Sequence, residues 1–417
     1  MKILWITNTL FPQACDELKV PRPFVGGWMY SMAEAILKQD SSINLAVACL
    51  YNVSQLEIIK KNKITYYIIP SLGGHNSIPE YLKIYWKQIH DIFEPDLVHI
   101  HGSEYSHVLS YINTYRSKNI VISIQGLVSD FEKYFYGDIS ILDIFKNITL
   151  RDIIRNDSLI KQKYNMWKRG KNEVLAISQI NNVIGRTNYD KAHVCSINPK
   201  VKYYFNNEIL RDSFYERYWS LSECRRHSIF LSQVHTPIKG FHKMIKALPL
   251  ILSKYPDCKI IVAGVDIYSK PFWRINGYER YIMSLLSRLN LKSKIHFIGP
   301  LDEREMVKSY LSSHVFVCPS SIENSSNSIS EAQLLGVPCV ASYVGGVNDL
   351  IEDGKTGFLY RFEDVEMLAK IICDIFSNDD LAISVSKRSN YIAKNRHSVN
   401  INSNALVDIY NKIINSN

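Results

Sequence analysis

No apolar stretch in the 417 residues approaches the ~18–20 needed to cross a bilayer, so a membrane-spanning chain is not expected. The start, MKILWITN, offers one lysine and a four-residue apolar run before turning polar. That is short for a secretory leader, and the protein is expected in the cytoplasm. The eight cysteines stand singly, with neither a C-x-x-C pair nor a Cys/His cluster at zinc-finger spacing. A disulfide framework and a structural metal are therefore not expected, and Cys49, Cys258, Cys318 and Cys339 read as small core residues within apolar runs. Neither G-x-G-x-x-G nor G-x-x-x-x-G-K-[ST] occurs, which removes the usual grounds for a dinucleotide or P-loop site. Short-period repeats and low-complexity tracts are absent too.

What is present is a chain long enough for two or three domains. Its formal charge of +9 favours anionic partners in general. The basic residues are dispersed rather than striped, and nucleic acid is not an expected partner.

Strand-like and helix-like runs alternate, which implies βαβ units and parallel sheets covered on both faces. In the first half the strands are expected at 2–7, 44–51, 64–70, 97–102, 120–126 and 181–187. Helices are expected at 28–39 and 79–93. Residues 138–182 form a helical insertion without strand signals. Within it, 160–171 interleaves Lys161, Lys163, Lys168, Arg169 and Lys171 with Tyr164, Met166 and Trp167, a pattern that fits either contact with an anionic membrane or a solvated helix face. The alternation breaks at 206–227 and resumes with strands at 228–233, 259–266, 295–300, 315–320, 338–346 and 354–360. The expected division is a first domain at 1–205, a connection at 206–227 and a second domain at 228–395. The final helix, 396–417, is expected to pack back on the first domain. Both domains read as doubly wound, Rossmann-like α/β units.

In open α/β sheets, ligands gather at the carboxyl ends of strands, where loops meet helix N-termini. After the strand at 315–320 comes SIENSSNSISEAQLLG. Ser328-Ile329-Ser330-Glu331 has the form of a capping box, which places a helix start near Ser328 and its end by Gly336. A carboxylate in a first turn can also accept from a ribose diol, and the exposed N–H groups there favour a phosphate. Glu323, still in the loop, has no capping role, and an acceptor-only carboxylate suits sugar hydroxyls. Lys239-Gly240 stands before a helix, where a lysine can neutralise a departing diphosphate. In the first half, Gly26-Gly27 permits close approach of backbone to ligand, His101-Gly102 ends one strand and Gln125-Gly126 ends another.

Taken together, these features resemble the nucleotide-sugar signature of the family 4 (group 1) glycosyltransferases. The run PSSIENSSNSISEAQLLGVPCVASYVGGVNDLIEDGKTGFLY carries it as Glu323, Glu331, Gly336, Pro338, Gly345-Gly346, Gly354 and Gly357. The resemblance extends to Lys239-Gly240, Ala263-Gly264, Phe297 and Gly299, Pro95-Asp96, His101-Gly102 and Gly26-Gly27. It implies the GT-B fold, with two Rossmann-like domains facing a central cleft. It also implies a retaining, metal-independent enzyme with no cofactor beyond its nucleotide-sugar co-substrate, a UDP-sugar. Lys239, Glu323 and His101 would then be catalytic. Glu331 would hold the ribose, and Ser328, Ile329, Asn327 and Asn324 would complete the donor site. Gln233, Gly26, Gly27, Gln125 and Arg186 would also contact the donor.

Three positions depart from the family pattern. Ser232-Gln233 replaces Gly-Arg, a change that His235 or Arg186 would have to offset. Asn324-Ser325-Ser326-Asn327 replaces a Gly-rich loop with an aromatic, and Gln125 replaces a histidine. The acceptor implied is a glycan or polyprenyl-diphosphate-linked oligosaccharide of a bacterial surface polysaccharide, such as O-antigen or capsule, used at the inner face of the membrane. A nucleotide-sugar epimerase or hydrolase, or a non-catalytic sugar-nucleotide-binding protein, would share the same fold.

Overall fold

A computed structural model describes residues 1–23, 26–71, 79–115 and 119–416. The chain divides into two compact units, each assembled from separate segments. The first comprises Met1–Asp130, Met166–Arg211 and His397–Asn417; the second comprises Phe131–Asn165 and Asp212–Arg396.

Among the described residues the first unit holds eight strands: β1 Lys2–Thr7, β2 Asn44–Tyr51, β3 Glu57–Lys61, β4 Ile64–Pro70, β5 Leu97–His101, β6 Ile120–Ser123, β7 Asn182–Gly185 and β8 Lys202–Phe205. They lie in the order β3-β4-β2-β1-β5-β6-β7-β8. All pairs are parallel except β3 with β4. Strand β1 is inaccessible from Ile3 onward, because helices cover both faces of a parallel sheet. The last helix, Val399–Asn415, belongs to this unit. Its Tyr410 hydroxyl accepts from Trp5 Nε1 at 3.0 Å and meets His99 Nδ1 at 2.6 Å, while His99 Nε2 meets Ser123 Oγ at 2.6 Å. Burial holds His99 neutral, its pKa lowered to about 3.

The second unit holds β9 Arg225–Leu231, β10 Lys259–Val262, β11 Ile295–Phe297, β12 Ser313–Cys318, β13 Cys339–Ser342 and β14 Phe358–Tyr360. Their order is β11-β10-β9-β12-β13-β14, all parallel. Strand order reverses between β9 and β12, so the loops leaving these two strands lie side by side at the carboxyl edge of the sheet.

The boundaries differ from the sequence expectation in two places. Residues 131–165 group with the second unit, not the first. They are tied there by polar contacts, the first of them buried. Gly137 O pairs with His242 Nε2 at 2.6 Å, Asp138 pairs with Lys243 at 2.7 Å, and Tyr134 O accepts from Ser321 Oγ at 2.9 Å. The segment 206–227, expected as a connection, is built into structure. Trp219 is buried, donating from Nε1 to Ser313 O and from its backbone to Leu335 O, and β9 starts at Arg225. The helices Pro12–Leu18, Ser106–Thr114, Val128–Phe131 and Val347–Leu350 and the strands β3 and β8 stand where no element was expected.

Candidate functional site

Two loops of the second unit meet where the strand order reverses. The chain leaves β9, passes through a 3₁₀ turn at Pro237–Lys239 and enters the helix Phe241–Lys254 at Gly240. The chain leaving β12 runs through Pro319–Ser326 into the helix Asn327–Leu335. Lys239 Nζ donates to Glu323 Oε1 at 2.6 Å, and Ser320 Oγ donates to the same oxygen at 2.7 Å. Glu323 is buried, whereas the Lys239 side chain keeps 27 % exposure. Burial alone would lower the Lys239 pKa, but the Glu323 carboxylate outweighs it and the net direction is upward. The lysine stays charged.

The loop carrying Glu323 is clamped by backbone. Ser321 N–H donates to Ile238 O at 2.8 Å, Gly346 N–H donates to Glu323 O at 3.0 Å, and Ser342 Oγ donates to Ser320 O. Gly240 (φ 67°) and Gly345 (φ 51°) press on it from either side. A Cβ at Gly240 would lie 1.6 Å from Pro319 O, and one at Gly345 would lie 2.0 Å from Glu323 O.

The helix after β12 starts at Asn327, with Ser326 as its N-cap and no side chain capping it. This corrects the expected capping box. Ser328 lies inside the first turn and Glu331 one turn further on, so Glu331 is not the reciprocal partner of a Ser328 cap. The backbone N–H groups of Asn327, Ser328 and Ile329 begin this helix with neither a capping side chain nor an acidic residue in the first turn. Such a terminus carries partial positive charge. Ile329 is fully buried and offers only its backbone there, while Tyr310 OH fixes the turn by donating to Ser328 O at 3.0 Å. The helix ends at Gly336 in the left-handed conformation, as expected.

One further expectation changes. Glu323 was expected to have a functional role alone, yet its carboxylate already ties the two loops together through Lys239 and accepts from Ser320 of its own loop. Asn324 is buried, at 2 % exposed. Gln233 is exposed, and His235 lies over Gly264, where a Cβ would come within 2.4 Å of its ring.

The first unit gathers its own set of residues at neighbouring strand ends. His101 ends β5, Gln125 follows β6 and Arg186 follows β7. Trp28, next to Gly27, links two of them: the Arg186 guanidinium lies 5.0 Å from its ring, and the His101 ring lies 5.7 Å from it. Gly26 (φ 83°) caps the helix Gly27–Gln39, and the Arg211 side chain packs against Gly27. His101 is 2 % exposed, and among the described residues neither ring nitrogen has a hydrogen-bond partner. Burial, then the neighbouring His99 and Arg186, drive its pKa well below the usual histidine value. It is a neutral imidazole. Arg186 does not supply a spare cation, because its guanidinium is buried against Glu208 at 2.5 Å. Trp28, Ser320 and Glu208 were missed in the sequence; adjacency to Gly27 and to Glu323 was the available signal for the first two.

The helix Leu159–Ser178 contains the segment 160–171, and its cations are engaged within the molecule. Lys163 pairs with Glu132 and Arg169 with Glu104, while Lys171 lies 3.7 Å from the Trp167 ring centroid. Among the described residues, no group of three or more His, Cys, Asp or Glu could hold a metal ion, and no helix is long and apolar enough to cross a membrane.

Two parallel-sheet α/β units of this kind define the GT-B class of fold. Sucrose-phosphate synthase from Thermosynechococcus elongatus superposes with a TM-score of 0.73 at 15 % identity over 100 % of both chains. Anabaena Alr3699/HepE, solved in complex with UDP-glucose, does so with a TM-score of 0.66 at 16 % identity, over 98 % of this chain and 99 % of that one. Residues 225–397, within the second unit and its border, match the family described as glycosyl transferases group 1. A curated relative, the D-inositol 3-phosphate glycosyltransferase of Corynebacterium urealyticum, is 27 % identical over 180 residues, 42 % of this chain and 41 % of that protein. The chain thus spans less than half the length of that relative.

Proposed function

We propose that the protein is a retaining glycosyltransferase that moves a sugar from a nucleotide diphosphate donor to a hydroxyl of a glycan acceptor. The observation that carries this reading is the Lys239–Glu323 pair beside the uncapped N-terminus of the Asn327–Leu335 helix. A diphosphate seated there meets one permanent cation and several N–H donors aimed the same way. As the bond from the anomeric carbon to the diphosphate oxygen breaks, its electron pair passes to that oxygen. Lys239 and the helix terminus stabilise the charge that develops, a task that requires no metal. The acceptor oxygen then bonds to the anomeric carbon on the same face, and its proton goes to the departing phosphate.

Glu331 is assigned to the ribose and Glu323 to both the sugar hydroxyls and the orientation of Lys239. Support for a UDP-sugar comes from the fold shared with HepE, solved with UDP-glucose. The acceptor we assign is a lipid-diphosphate-linked oligosaccharide of a surface polysaccharide, and the place of action is the cytoplasmic face of a membrane.

The test is a thermal-shift panel of nucleotide sugars, followed by transfer assays with the stabilising donor. Lys239→Ala should lower kcat/KM by about 10²–10³-fold, the range for losing one oxyanion-type donor. Glu331→Ala should weaken nucleotide binding. If both variants bind and turn over every donor as the parent does, the assignment fails. Release of free or epimerised sugar without acceptor would favour the hydrolase or epimerase reading instead.

A further inference from the structure

The second unit displays an apolar surface that its own folding does not explain. In the helix Leu150–Arg155 the buried residue is Asp152, whereas Leu150, Ile153 and Ile154 are 72 %, 67 % and 75 % exposed. This inverts the usual arrangement of a surface helix, which turns its aliphatic side inward. The inversion is fixed by structure: Asp152 closes a capping box with Thr149 and pairs with Arg151, and Gly277 lies close enough that a Cβ would sit 2.9 Å from Asp152 Oδ2. The preceding helix, Ile141–Lys146, buries Ile144 but leaves Ile141, Leu142 and Phe145 exposed. Beside the Leu150–Arg155 helix, the 3₁₀ turn Phe272–Arg274 presents Phe272 at 80 % and Trp273 at 63 % exposure.

Between these two segments lies a pocket of about 620 Å³ lined by Arg151, Arg155, Lys270 and Arg274, with Val265, Ser269 and Pro271. Arg151 is matched by Asp152 and Asp157, and Lys270 by Glu279. Arg155 and Arg274 form no ion pair among the described residues. The pocket therefore has two unmatched guanidinium groups, and the two segments that supply them also carry the exposed Ile153, Ile154, Phe272 and Trp273.

We infer that this face docks on the surface of an anionic lipid bilayer, with Arg155 and Arg274 on lipid phosphates and Ile153, Ile154, Phe272 and Trp273 among the acyl-chain ends. The charge complementarity selects the occupant: a bilayer surface sets phosphate groups beside hydrocarbon, and here unmatched cations stand beside exposed apolar side chains on the same two segments. Tryptophan favours that boundary. The surface differs from segment 160–171, where Lys163 and Arg169 are paired with carboxylates and Lys161 and Lys171 lie over aromatic rings. The inference does not depend on the transferase reading, since a chain that transfers no sugar would still bind the vesicles.

The experiment is co-sedimentation of the full chain with vesicles of phosphatidylcholine alone or mixed with phosphatidylglycerol, at low salt. Binding should be at least tenfold stronger on the anionic vesicles. It should fall at least tenfold in Arg155→Glu/Arg274→Glu and in Ile153→Ser/Ile154→Ser, while Lys168→Glu/Lys171→Glu binds like the parent. All these positions are at the surface, and an unchanged melting temperature reports that each variant folds. Tryptophan emission should shift to the blue on vesicle addition, and the shift should shrink in Trp273→Phe. Absence of binding to anionic vesicles, or equal loss in the Lys168/Lys171 variant, overturns the inference. So does parent self-association in sedimentation without lipid that the same substitutions abolish, since it would make a second copy the occupant.

Discussion

Replacing Gly345 by alanine should damage the candidate site far more than a change of one methyl group suggests. Two costs add. The first is conformational: at φ 51° an L-residue pays ~1–2 kcal/mol relative to glycine. The second is steric. The new Cβ would stand 2.0 Å from Glu323 O, and real Cβ atoms essentially never approach closer than 3.0 Å, so the carbonyl must retreat by roughly 1 Å. That carbonyl is held by Gly346 N–H, and overpacking against a fixed group adds ~1–3 kcal/mol. The sum is about 2–5 kcal/mol, with Glu323 displaced from Lys239 as a consequence. Gly354 is the control. It has φ 71° and nothing within 4 Å of a Cβ, so Gly354→Ala should show the conformational cost of ~1–2 kcal/mol alone. Urea unfolding followed by tryptophan fluorescence measures both, and a nucleotide-sugar thermal shift reports the site. Gly345→Ala should lose the ligand shift and Gly354→Ala should keep it. If the two variants unfold within ~0.5 kcal/mol of each other and bind equally, the clamp on the Glu323 loop is not what this glycine provides.

Two other predictions follow from buried charge. Lys239→Ala leaves the Glu323 carboxylate with Ser320, so it should destabilise the second unit by ~2–3 kcal/mol, below the full penalty of ~3–5 because the lysine is partly exposed. Adding Glu323→Ala should recover more than ~1 kcal/mol of that loss, and a double-mutant cycle with coupling below ~0.5 kcal/mol would refute the pair's structural role. His242 is buried and its pKa is lowered to about 3 by that burial, against the smaller opposing effect of Gly137 O. Its unfolded value is near 6.5, so the folded state binds fewer protons between these limits. Its stabilising contribution is complete above pH ~6.5 and is lost as pH falls towards 3, with a slope of ~1.4 kcal/mol per pH unit. Urea midpoints taken from pH 7 to 4 should therefore fall less steeply in His242→Gln than in the parent; identical slopes would show that this histidine is not held neutral.

The strands that build the two sheets were legible because parallel strands buried on both faces appear as unbroken apolar runs, as in KILWIT and VFVC. The edges were not. Strand β3, EIIKK, mixes charge with an exposed Ile58 and pairs antiparallel to β4 across a turn with Asn62 at φ 52°. Lysines suit an unpaired edge and disguise it in the sequence. The helix start after β12 was placed to within a residue, but its cap was misassigned because SSNSIS offers several residues able to cap, and spacing alone cannot choose among them. Segment 131–165 was assigned to the wrong unit because the bonds that place it, Gly137 to His242 and Asp138 to Lys243, each span 105 residues. No local pattern announces such pairs. The same limit applied to Glu323, whose partner Lys239 lies 84 residues away. Yet that encounter was constrained by topology. Once β9 and β12 are hydrogen-bonded neighbours on opposite sides of the reversal in strand order, the loops leaving them must meet, and any lysine and glutamate they carry into that space will pair. The sequence could set both residues after strand ends; only the neighbour relation of two strands shows that their two charges stabilise each other.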